Sequence, residues 1–195
     1  MTTIQDDVAL DPAGVRLAAQ LRAERDARGW SIAEFAERSR VSRAMISKIE
    51  RAEASPTAAL LGRLCGALGL TLSALLARAE GLAGGAVARA GDQPSWRDPE
   101  TGYVRRAITP PGAEPELVRV VLPAGARVAY PAATYGLTRG HSIWVLEGAL
   151  RFHEGQATHL LGPGDCLSLG PPADCAYVNP SSTCSVTYLV ALSRR

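Results

Sequence analysis

Two short apolar runs, each preceded by a serine and separated by Arg40-Val41, make up the segment WSIAEFAERSRVSRAMISKIERAEASP, Trp30 to Pro56. Ile32, Phe35 and Ala36 repeat at helical spacing, and so do Met45, Ile46 and Ile49. Ser31 and Ser42 stand where a hydroxyl can cap the free N–H groups of a first helical turn. Ser31 with Glu34 also has the spacing of a capping box. Two capped amphipathic helices joined by so short a turn predict a helix-turn-helix, the device that lays its second helix in the DNA major groove.

The residues around this unit also read as helices. Val15 to Arg28 is amphipathic through Leu17 and Leu21, and Gly29 ends it as a C-terminal glycine does. Ser55-Pro56-Thr57 opens a helix to Leu68 with core positions Leu60, Leu61, Leu64 and Leu68, and a last one runs from Thr71 to Ala77. Beyond residue 80 the helical period stops. A Gly/Ala-rich stretch leads into eight strand-like segments: 116–122, 127–130, 142–146, 149–153, 158–161, 166–169, 176–179 and 185–192. Turn signals such as Glu147-Gly148 and Gly162-Pro163-Gly164-Asp165 separate them. The expected fold class is α+β multidomain, a five-helix all-α domain followed by an antiparallel β-barrel or jelly roll. The expected division is an N-terminal arm (1–13), a DNA-binding domain (14–79), a linker and lead-in (80–100) and a barrel (101–195).

Composition narrows the function classes. The apolar runs fall far short of the roughly 18 residues that a membrane helix needs, and MTTIQDDVALDP has no apolar segment of the secretory kind. A cytoplasmic protein is expected, with no membrane partner and with Cys65, Cys166, Cys175 and Cys184 as reduced thiols. Net charge is only +2, so a nucleic-acid footprint has to be a local patch. Residues 31–51 carry five basic and three acidic side chains.

The tract V-S-x-x-x-I-S-K-I-E-R, followed by S-P-T and a Leu-rich helix, resembles the Cro/phage-repressor-like (XRE) helix-turn-helix family over residues 14–77. SIWVLEGALRFHEGQATHLLGPGDCLSLG and YVNPSS make residues 100–195 look like a cupin barrel. Together these resemblances imply a sequence-specific transcriptional regulator, a homodimer on a pseudo-palindromic double-stranded operator. In the second helix Arg43 is expected to reach a base edge. Ser42, Ser47 and Lys48 are expected to touch phosphate or base, Arg51 phosphate, with Ser31 and Ala44 completing the surface. Phe35, Val41, Ile46, Ile49 and Trp30 are read as core, and Glu50 as the partner of a nearby arginine.

Metal-binding cupins supply two His and a Glu from a first motif and a His from a second. Here the Glu position falls on His141 and the last His position on Cys175, and the other two fall among residues 134–137 (Thr134, Tyr135, Gly136, Leu137). His141 and Cys175 are therefore weak metal candidates, and no cofactor is expected. The barrel interior is left to bind a small-molecule effector, with Tyr130, Tyr135, His141, Trp144, Cys175 and Tyr177 as lining, or to serve chiefly in dimerisation. The alternative to a regulator is a metal-dependent cupin enzyme with an appended DNA-binding domain. His153 and His159 are read as hairpin surface, and Cys166, Cys175 and Cys184 as buried strand residues.

Overall fold

The computed structural model describes residues 12–82, 84–136 and 138–194. Five helices come first: α1 (Pro12–Asp26), α2 (Ile32–Ser39), α3 (Arg43–Glu50), α4 (Ala58–Leu68) and α5 (Leu72–Ala79). The arm expected over 1–13 lies outside the described residues up to position 11, and α1 already begins at Pro12. Its start is three residues earlier than the apolar pattern predicts. Proline suits a first helical position because its missing N–H would have no partner there.

Local chemistry sets the helix ends. Ser31, Ser42, Thr57 and Thr71 each accept from a backbone N–H three residues on, and at Ser31 the full capping box with Glu34 is formed. Gly69 closes α4 in the left-handed region, at φ 71, while Leu70 N–H donates to Cys65 O at 3.0 Å. Leu21, Phe35, Val41, Ile46, Ile49, Leu61, Leu64 and Leu75 form the core of this unit. Trp30 departs from the expected core position: it is half-buried, its ring covered by the Arg38 guanidinium at 4.5 Å. No single described helix is long and apolar enough to cross a membrane.

Ten strands follow: β1 (Ser95–Arg97), β2 (Val104–Ala107), β3 (Glu116–Leu122), β4 (Arg127–Tyr130), β5 (Thr138–Glu147), β6 (Leu150–Glu154), β7 (Ala157–Leu161), β8 (Cys166–Ser168), β9 (Cys175–Val178) and β10 (Val186–Arg194). One sheet has the order β1-β2-β3-β10-β5-β8 and the other β4-β9-β6-β7. The antiparallel pairs β3·β10, β4·β9, β5·β8 and β6·β7 are nested one inside the next. That nesting is a long hairpin ribbon rolled onto itself, a jelly roll, here built as two sheets face to face rather than one continuously bonded barrel. Val118, Val120, Leu122, Ile143, Val145, Leu150, Phe152, Val186 and Tyr188 fill the space between them. The strands β1 and β2 were not legible as strands, and β1 falls inside the stretch read as linker.

The helical unit sits directly on this sandwich. Asp98, 1% exposed, accepts from the Ala58 N–H at the start of α4 (2.8 Å) and from Thr101 N–H and Oγ1 (2.9 and 2.6 Å). A carboxylate at a helix N-terminus satisfies an orphan donor and the positive end of the helix dipole together. On α5, Thr71 Oγ1 donates to Glu116 Oε2 at 2.7 Å, and Arg105 Nη2 donates to Ser73 Oγ at 3.0 Å. Gly62 of α4 lies so close to the barrel that a Cβ there would stand 2.9 Å from Tyr130 Cδ1. Trp96 packs against both cores.

Candidate nucleic-acid interface and barrel cavity

Helix α3 has two unlike faces. Ile46 and Ile49 are 1% exposed and point into the helical core, whereas Ser42, Arg43, Ala44, Lys48 and Arg51 are exposed and Ser47 half-exposed. The exposed set recurs every three to four residues, so it forms one stripe. Among the described residues Arg43 joins no ion pair, which leaves its guanidinium free for a planar acceptor. Arg51 is engaged: Nε and Nη2 donate to the Glu53 carboxylate at 2.6 and 2.7 Å, and Nη1 donates to Ser47 Oγ at 2.5 Å. Ser42 and Ser31 hold helix ends with their oxygens, Ser31 also donating to Glu34 Oε2 at 2.9 Å. Sequence reasoning gave each of these residues a DNA contact; it foresaw the caps at Ser31 and Ser42 but not the bonds of Arg51 to Glu53 and Ser47.

Behind the stripe, Glu50 finds the arginine expected for it. Arg25 of α1 donates Nε and Nη2 to the two Glu50 oxygens at 2.7 Å each, and Nη1 to Asp26 Oδ1 (2.6 Å) and the Trp30 carbonyl (2.8 Å). Both side chains are under a tenth exposed, and the Glu50 hydrogen bond raises the Arg25 pKa. This fork fixes α3 against α1 and sets which way the stripe faces.

The barrel interior holds a cavity of about 100 Å³. Its walls come from both halves of the molecule: Gly62, Cys65 and Leu72 from the helices, and Tyr103, Arg105, Tyr130, Tyr135, His141 and Tyr177 among the barrel residues. Tyr177 stacks on Tyr188 with ring centroids 5.5 Å apart, and Tyr135 lies 5.0 Å from the His141 ring. Cys175 is brought to this cluster, its Sγ donating to Tyr135 Oη at 3.1 Å. Trp144 is not. It is 47% exposed on the outer face of β5, because His141, Ile143 and Val145 take the inward positions and residue 144 has the opposite parity. Sequence reasoning missed the helix-borne walls and Tyr103, and above all Arg105, the charged residue of the lining. Arg105 occupies an inward position of the unrecognised β2, where it and Ala107 are buried, as is Tyr103 just before the strand, and Arg106 is exposed.

The donor set at the cupin metal positions does not fit a metal ion. His141 Nε2 shares a hydrogen bond with Tyr177 Oη at 3.1 Å, and burial lowers its pKa to about 4. The Cys175 thiol is bonded to Tyr135, and burial pushes its pKa up to about 11, so it is no thiolate near neutral pH. Thr134, Tyr135 and Gly136 offer no imidazole, and Leu137 lies outside the described residues. Among the described residues no three His, Cys, Asp or Glu side chains converge. His153 bonds Thr158 on the β6–β7 hairpin (3.0 Å), with His159 beside Glu154 (3.7 Å). Cys166 and Cys184 are exposed and only Cys175 of the three late cysteines is buried, which corrects their reading as buried strand residues.

Comparison with known proteins adds four likenesses. Residues 21–75 match the family model Helix-turn-helix (HTH_3). The HTH-type transcriptional regulator SutR of Escherichia coli (strain K12) is 40% identical over 60 residues, 31% of this chain and 34% of SutR, so the match spans about a third of that relative. The structure of an HTH_3 family transcriptional regulator from Vibrio cholerae superposes with a TM-score of 0.76 at 22% identity, covering 93% of this chain and 97% of that one, and so shares the fold. A looser superposition, TM-score 0.45 at 16% identity over 94% of this chain and all of the other, is on hydroxypropylphosphonic acid epoxidase from S. wedmorenis.

Proposed function

With residues 21–75 a helix-turn-helix domain of the HTH_3 family, we propose that the protein is a sequence-specific DNA-binding transcriptional regulator, modulated by a small molecule in its metal-free barrel. The observation that carries this reading is the stripe on α3, polar and solvent-facing on a helix whose other face is locked into a core. Arg43 reads a base edge, where its fork pairs with guanine, while Lys48 and the N-terminal turns at Ser31 and Ser42 hold phosphate. Arg51 reaches phosphate by exchanging Glu53 for it. One helix of eight residues reads few bases, so the protein acts as a twofold dimer on a pseudo-palindrome.

The barrel enters through its contact with α4 and α5. A ligand shifts an equilibrium only by binding two states differently. A cavity walled partly by the DNA-binding domain supplies that difference, since moving the domain changes the cavity. An enzyme built on His141 and Cys175 is the weaker reading, because no third His, Cys, Asp or Glu among the described residues converges with them to hold an ion.

The test is operator selection from random duplexes, followed by fluorescence anisotropy. Arg43→Ala is expected to cost about 1–3 kcal/mol on the selected site and relax one base position. Lys48→Ala is expected to weaken binding to all sequences and to lower the salt slope by about one. Unchanged operator affinity for Arg43→Ala would overturn the assignment of α3.

A further inference from the structure

Arg105 is the one charged side chain in the cavity wall among the described residues, and it is 8% exposed. A guanidinium stays charged and carries five N–H donors. Burying it costs several kcal/mol unless an anion and hydrogen bonds meet it. Here Nη2 donates to one neutral hydroxyl, Ser73 Oγ, at 3.0 Å. Glu116 favours the charge through space, yet its Oε2 accepts from Thr71 and it is no part of the cavity wall. The guanidinium therefore borders the cavity with donors to spare. Most of the remaining wall is apolar, formed by Val118, Val120, Val128 and Val190 with the tyrosine rings, Val120 being the cross-strand partner of Arg105. Among the described residues His141 Nδ1 and Thr134 Oγ1, also of the wall, have no hydrogen-bond partner, a cost of about 1–3 kcal/mol each that a ligand-bound state can relieve.

We propose that this cavity binds a small carboxylate with a compact hydrocarbon body, its carboxylate gripped by Arg105 and its body set among the valines beneath α4. The inference rests on reading the barrel as an effector site and names the chemistry of the effector. An Arg–carboxylate pair is bidentate and selective for a planar anion. The volume of about 100 Å³ is somewhat below the roughly 150 Å³ that admits benzene in an engineered apolar cavity. A branched short-chain acid is thus the upper size class, and benzoate, larger than benzene, serves as the oversized acid.

The experiment titrates the full-length protein at pH 7 with butanoate, 3-methylbutanoate and benzoate, each beside its uncharged amide, by calorimetry and thermal denaturation. Saturable binding of at least one carboxylate at one site per chain is expected, with a raised melting midpoint and the matching amide at least tenfold weaker. Arg105→Lys, which keeps the charge and loses the fork, is expected to bind at least tenfold more weakly, and Arg105→Gln to lose the preference for acid over amide. Silence from all three acids, or equal binding of acid and amide, overturns the proposal without needing any variant to fold. Operator binding of the ligand-free protein is measured in parallel. A protein that binds DNA and ignores every carboxylate removes the carboxylate site alone, whereas one that binds carboxylates and no DNA supports the site and removes the regulator reading.

Discussion

At the scale of single residues, two buried groups give opposite lessons in electrostatics. Both Glu50 oxygens accept from Arg25, so deleting Glu50 leaves a buried guanidinium with only the exposed Asp26 carboxylate as a charged partner. Glu50→Ala is expected to destabilise the protein by about 3–5 kcal/mol, read from urea unfolding. His141 is buried neutral. Its folded pKa is lowered to about 4 from 6.5, so between those values the unfolded chain binds the extra proton and stability falls as pH falls. About 3 kcal/mol is lost in this way by pH ~4, and His141→Gln is expected to flatten the decline in unfolding curves taken at pH 7, 5 and 4. The pairing of Glu50 was legible because an acidic side chain on the inner flank of a short helix needs a cation. Arg105 was not legible, because hydropathy turns Val104 inward and Arg105 outward, the reverse of what β2 does. Trp144 failed for a related reason: its size suggested a pocket, but strand parity with His141 already excluded it.

At the scale of elements, the caps were readable and the pairings were not. A capping serine acts on N–H groups three residues away, so Ser31 and Ser42 carry their meaning in the local sequence. The nesting of β3 with β10 joins segments some seventy residues apart, and no local pattern contains it. Helix α3 ends in a motif with a flaw that can be tested. Ala52 sits in the left-handed region at φ 57, while Glu53 N–H donates to Lys48 O at 2.8 Å. Ala52→Gly is expected to stabilise the protein by about 1 kcal/mol, visible as a higher melting midpoint. Thiol labelling checks the placement of the strands and loops at the same scale. Cys166 and Cys184 are expected to react quickly in the native protein, and Cys65 and Cys175 only on unfolding, since burial pushes their pKa values up to about 12 and about 11.

At the scale of the whole molecule, a helical unit and a jelly roll joined by a Gly/Ala-rich stretch look separable in sequence. The structure couples them through Asp98 at the start of α4, Glu116 at the start of α5, and the close seat of Gly62 on Tyr130. Calorimetry of the intact protein is expected to show one cooperative transition, and Asp98→Ala, which strips the N-terminus of α4 of its buried acceptor, to resolve it into two. Because the cavity takes part of its wall from α4 and α5, neither domain owns it. Lineages that exchange DNA-binding heads between such barrels would pass on half a chamber each time, and substitutions that retune the helix packing would alter the fit of whatever lies beneath. On the function proposed above, operator choice and chemical input are in this architecture jointly heritable traits rather than interchangeable parts.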